Sequence, residues 1–150
     1  MKKHFLLPKS AKGQSLVELA ISLVILLIIL AGAVEFGIIF FQYVQLRDAA
    51  QEGALYGSIY PPSSAADTAA INAIIKRTKD SSSTPIDLAN DPGVVVQVDV
   101  TDGIYCEGGS LRVRVSYPHD VIMPFMSTWL GPGRTLNAEV IDTILTPVCP

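Results

Sequence analysis

The sequence is poor in the residues that enzymes and metal proteins depend on. It has two histidines, two cysteines and a single tryptophan among 150 residues. His4 and His119 stand far apart, and neither a second nearby histidine nor a Cys-x-x-Cys completes a metal pair. No Gly-x-Ser-x-Gly elbow is available for a nucleophilic serine. Gly108-Gly109 has no helix after it, so it reads as a turn rather than a phosphate cradle. Asp99, Asp102 and Glu107 gather around Gly103 without the full spacing of a calcium loop. Charge is also scarce, at 17% of residues with a formal net charge of −3, and no basic stripe offers a nucleic-acid surface. These absences predict a chain that is not an enzyme, with no cofactor, metal, small-molecule substrate or nucleic-acid partner.

What the sequence does have is one long apolar run. No charged residue occurs between Glu18 and Glu35, and apolar residues continue through Phe36, Ile38, Ile39, Phe40 and Phe41. As a helix, Leu19 to Phe41 rises about 35 Å, enough to cross a hydrocarbon core of about 30 Å with some tilt. Lys2, Lys3, His4, Lys9 and Lys12 precede it. That basic flank would hold the N-terminus in the cytoplasm and send the rest across the membrane. A carboxylate in hydrocarbon costs a few kcal/mol, so Glu18 and Glu35 each need a partner or a route to an interface. About 25 Å of helix rise separates them, which places one near each face. Snorkelling at the interface is the expectation for Glu35. Glu18 has a more specific option, because a cut after Gly13 would create an α-ammonium on Gln14 for it to pair with, in its own chain or a neighbour.

Lys12-Gly13-Gln14-Ser15-Leu16-Val17-Glu18, a basic leader ending in glycine before an apolar helix with Glu at the fifth mature position, resembles the processing site of type IV prepilins. Three segments extend the resemblance to TadE-like proteins, the minor pseudopilins of tight-adherence (Tad) pilus systems. They are Val17-Glu18, Gly32-Ala33-Val34-Glu35-Phe36-Gly37, and the alanine-rich stretch from Arg47 to Tyr56. The strand ending Val113-Arg114-Val115-Ser116-Tyr117-Pro118 is a weaker fourth match. Gln14 departs from the Phe usual at the first mature position of ordinary type IV pilins, which favours the Tad-type branch. The resemblance implies cleavage by a prepilin peptidase between Gly13 and Gln14 and retention in the cytoplasmic membrane or a surface pilus. It also implies assembly with a second minor pseudopilin and a major pilin. In that assembly Glu18 and Glu35 would serve subunit association, and Ala31, Gly32, Ala33 and Gly37 would let neighbouring helices approach closely.

A different processing route fits the same residues. Leu19 to Leu30 could act as the apolar core of a secretory signal, with Ala31-Gly32-Ala33 as its cleavage box, releasing a binding module that starts at Val34. The objection is that Ile38, Ile39, Phe40 and Phe41 would then sit on a chain end with no bilayer to receive them.

Beyond the run, the pattern predicts an α+β domain in three segments: a leader over 1–13, a transmembrane and scaffold helix over 14–57, and an extracytoplasmic domain over 58–150. Tyr43, Leu46, Ala50 and Ala54 recur at helical spacing, extending the first helix to about Tyr56, with Gly57 and Pro61-Pro62 ending it. Ser64 and Asp67 have capping-box spacing ahead of a second helix that reaches about Lys79, with Ala70, Ile71, Ile74 and Ile75 as its apolar stripe. Asp80 to Gly93 is loop by composition.

Three strands follow, predicted to form an antiparallel sheet over the first helix. Val96, Val98 and Val100 share one face of the first strand, and Leu111, Val113, Val115 and Tyr117 one face of the second. The third, Thr135 to Thr146, has Leu136, Ala138, Val140 and Ile144 on one side, interrupted by Asp142, and Ile141 and Leu145 on the other, which suggests a central or doubly covered strand or a misplaced register. His119 to Arg134 fits no regular element. His119 is expected at the surface, and Met123, Phe125, Met126 and Trp129 as a core or interface patch. If the last two strands are antiparallel neighbours, Cys106 and Cys149 lie beyond opposed ends and could form a disulfide. The alternative is two free thiols in a loop and a tail.

Overall fold

A computed structural model of the chain describes residues 11–123 and 126–149. The first ten residues of the expected leader and the Pro124-Phe125 pair of the apolar patch lie outside the described residues. Helix α1 (Ala11–Ile59) is followed by α2 (Thr68–Lys79), β1 (Val95–Val100), β2 (Ser110–Asp120), the short α3 (Met126–Leu130) and β3 (Gly133–Thr143). The strands form one antiparallel sheet in the order β1-β2-β3. This is the expected α+β arrangement of a long apolar helix, a second short helix and a three-stranded sheet.

The second half of α1 is the floor of the core. Leu46, Ala49, Ala50 and Ala54 are buried against Leu111, Val113 and Val115 of β2, Ala138 of β3, Ile144 and Ile74 of α2. Gly57 does not end the helix, contrary to the sequence-based expectation. The helix passes through it to Ile59. A Cβ at Gly57 would collide with Leu111 and meet Ile74 Cδ1 at 3.0 Å, so glycine is there because sheet and helix touch at that point. Neighbouring carbonyls at the helix end are occupied by the C-terminal tail, since Leu145 N–H donates to Ser58 O at 2.8 Å and the Thr146 hydroxyl to Ile59 O at 2.6 Å. Pro61 and Pro62 then prevent continuation.

Asp67 is the N-cap of α2 itself rather than the third residue of a capping box beginning at Ser64. Its carboxylate accepts from Ala70 N at 3.1 Å and from the backbone and hydroxyl of Ser63. Those hydrogen bonds, led by the Ser63 amide, hold its pKa below the usual carboxylate value. Ile74 and Thr78 are buried, with Ala70, Ile71 and Ile75 half-buried around them. The 80–93 loop has no regular element, yet Gln45 of α1 pins it. The Gln45 side chain donates to Ile86 O at 2.7 Å and accepts from Ile86 N at 3.0 Å, and Ile86 and Leu88 enter the core.

β2 is the central strand and β3 an edge. Ile141 of β3, at 56% exposed, and Leu145 just beyond it are both exposed, so two apolar sides do not mean two covered faces. Across the outer face, Arg112 bonds Asp99, Arg114 bonds Glu139, and Ser116 bonds Asn137 at 2.8 Å. Ser110 stands opposite Thr143. Beyond those strand ends Cys106 and Cys149 form a disulfide, with Cα atoms 5.2 Å apart. The turn leading into β2 has Gly108 at φ 92°, and Asp102 accepts from Ile104 N and Ser110 N, each at 2.9 Å.

Candidate functional site

The most apolar part of α1 carries little of its own chain. From Leu16 to Leu30 most large side chains are more than half exposed, and the helix contains an 18-residue stretch with a mean hydropathy of 2.8. Length and composition make this helix a candidate membrane anchor. Near its start Gly13 and Gln14 are exposed, and Gln14 Nε2 lies 3.4 Å from Glu18 Oε1 on the next turn. The two residues expected to pair after processing therefore already share a helix face.

Glu35 does not turn outward as the snorkelling expectation had it. It is 1% exposed and lies against His119, which is 2% exposed rather than at the surface. The imidazole Nε2 is 2.8 Å from Glu35 Oε1. Met123 N–H donates to Oε2 at 2.8 Å, and Ile122 N–H lies 3.2 and 3.3 Å from the two oxygens. A carboxylate on the anchor helix is thus fully engaged by the end of β2 and the connection that follows it. Such closure removes the cost of an isolated acid in an apolar setting.

The local cause is pattern. Glu35 shares the α1 stripe that continues through Leu46, Ala49 and Ala50 into the core. His119 continues the alternation Leu111, Val113, Val115, Tyr117 on the inward side of β2. Each lies at the end of a core-facing row, the end nearest the apolar half of α1. Sequence reasoning missed His119 because its type was weighed above its phase.

The four small residues divide between two surroundings. Ala31 borders an apolar groove next to Met123, and the Met126 sulfur would be 3.6 Å from a Cβ on Gly32. Ala33 and Gly37 are exposed, with open space beside Gly37, and they have the one-turn spacing that permits close helix packing. Among the described residues no group of three or more His, Cys, Asp or Glu is placed to hold a metal.

The TadE-like protein family model matches residues 13–55. The match begins at the expected cleavage glycine and ends inside α1, spanning less than a third of the chain. The TadE-like segment thus includes Gln14, Glu18, Glu35 and all four small residues, whereas His119, the sheet and the disulfide lie outside it. No curated protein and no solved structure matches the chain significantly. A TadE-like segment on a helix long and apolar enough to span a membrane fits a Tad pilus-associated protein.

Proposed function

We propose that this chain is a minor pseudopilin of a Tad-type pilus, cut after Gly13 by a prepilin peptidase. It stays single-pass in the cytoplasmic membrane with its domain outside and takes part in assembly or initiation of the adhesive filament with a second pseudopilin and a major pilin. The TadE-like match starting at Gly13 is the observation that carries this reading. The role is structural rather than enzymatic. Subunits associate through the exposed apolar half of α1, with Glu18 neutralised by a Gln14 ammonium and Ala33 and Gly37 on the approach face. Glu35 acts by fixing each subunit's domain to its own helix, which sets how the domains are presented when helices bundle.

Glu18 lies far from the core, so changing it isolates association from folding. A Glu18→Ala chain is expected to be processed to the mature length and to accumulate normally in membranes, while pilus counts fall to those of a deletion strain. Wild-type piliation in that strain would remove the pairing role.

The alternative is a soluble module released after Ala33, a cut that would divide the TadE-like segment at residues 13–55. Release would also leave exposed Phe36, Phe40 and Phe41 at a soluble chain end.

A further inference from the structure

The described residues of the connection between β2 and β3 lie against the apolar half of α1, Met123 beside Ala31 and Val34 and the Met126 sulfur beside Gly32. Met123 and the α1 residues Val24, Leu27, Ile28, Leu30, Ala31 and Val34 line an open groove of about 590 Å³ with no polar residue in its walls. From Val24 to Val34 the helix rises about 15 Å, half the thickness of a hydrocarbon core. Phe36, Phe40 and Phe41 stay exposed on α1 past that level, and Tyr43, an aromatic of the kind that marks a membrane interface, follows them. Met123 and Met126 therefore lie deeper than the interface.

The composition of the connection matches that depth. Val121 to Gly133 (VIMPFMSTWLGPG) has no charged residue, whereas Asp120 and Arg134 flank it. Ile122 is 63% exposed on its outer side. Non-helical backbone is tolerated at membrane depth only when its polar groups are satisfied within the protein. Here Ile122 and Met123 donate to Glu35, Met126 N–H to Met123 O at 3.2 Å, and Gly131 N–H to Ser127 O at 3.0 Å.

From this we infer that the β2–β3 connection is a membrane-dipping element. It enters the bilayer leaflet on the domain side next to α1, acyl chains fill the groove, and Glu35 is the acceptor that lets the irregular backbone enter. The occupant is lipid because the groove is continuous with the exposed apolar surface of the anchor helix. The inference rests on α1 spanning a bilayer, and the test separates the two claims.

Trp129, the chain's single tryptophan, lies in this connection and reports on it without mutation. The full chain is reconstituted in phosphatidylcholine vesicles, floated at alkaline pH to score integral insertion, and its emission recorded with and without lipids brominated on the acyl chains. Insertion with emission roughly halved by the brominated lipid, and with strong protection from aqueous acrylamide, is the expected result. An inserted chain whose Trp129 ignores the brominated lipid overturns the dipping element. In that case acrylamide protection would mean a protein covers the patch, and acrylamide access would mean water does. A chain that fails to float with vesicles removes the anchor reading, and this inference with it.

Discussion

Replacing Glu35 with alanine is expected to destabilise the folded chain by about 3–5 kcal/mol, a large fraction of the stability of a domain this size. The substitution leaves the buried His119 Nε2 and the partly buried amides of Ile122 and Met123 without their acceptor. The loss is one of unpaired donors rather than of one attractive contact. His119→Ala should cost less, because the two backbone amides still bind the carboxylate. The double variant should fall short of the sum of the two, with a coupling of about 0.5–3 kcal/mol between groups in direct contact. Denaturant unfolding of detergent-solubilised protein, followed by near-UV dichroism, measures all three. A Glu35→Ala midpoint within about 0.5 kcal/mol of wild type would mean that the junction is not formed as described. If the junction does secure the β2–β3 connection, Glu35→Ala should also release Trp129 toward water.

Removing the disulfide is the second large effect. The pairing of Cys106 with Cys149 closes a loop with a sequence separation of 43, and the chain-entropy relation assigns about 4 kcal/mol to that closure. The bond also holds the tail that occupies the end of α1, since Glu107 N–H donates to Pro147 O at 2.8 Å alongside the Leu145 and Thr146 contacts to Ser58 and Ile59. A Cys106→Ser, Cys149→Ser chain, or wild type kept in reductant, should therefore unfold at clearly lower denaturant concentration and fray first at the end of α1. Hydrogen exchange at Ile59 and Tyr60 reads the fraying directly. A stability loss below about 1 kcal/mol would show that the noncovalent contacts hold the tail unaided.

Most of the architecture was legible because it rests on periodicity. The valine alternation of β1 and β2, the apolar stripe of α2 and the uncharged run of α1 all map onto the elements the sequence predicts. Errors came where one residue type has two physical uses. By type Gly57 suits a helix terminator, but it serves as the clearance that lets Leu111 and Ile74 reach α1, and only the tertiary contact distinguishes the two. Ile141 on β3 looked like a second buried face. Among the described residues the sheet has three strands, and none of those residues covers its outer side at Ile141.

The Glu35–His119 junction was within reach of the sequence. Carrying the α1 stripe back seven residues from Gln42 arrives at Glu35, and carrying the β2 alternation on from Tyr117 arrives at His119. Two polar residues at the ends of two inward rows are candidates for each other. What no local pattern could provide is their separation in space, which depends on β2 running antiparallel to α1 and on the connection folding back along the helix. The small residues show the same limit, because Ala31 and Gly32 face the chain's own connection while Ala33 and Gly37 stay open.

The most direct measurement is the first residue of the protein isolated from its native membrane, by Edman degradation or intact mass. A mature chain beginning at Gln14, extracted only by detergent, is the expected result. Recovery of a chain that begins at Met1 or Val34 would contradict the pseudopilin reading, leaving in the first case an unprocessed anchored protein and in the second a shed domain.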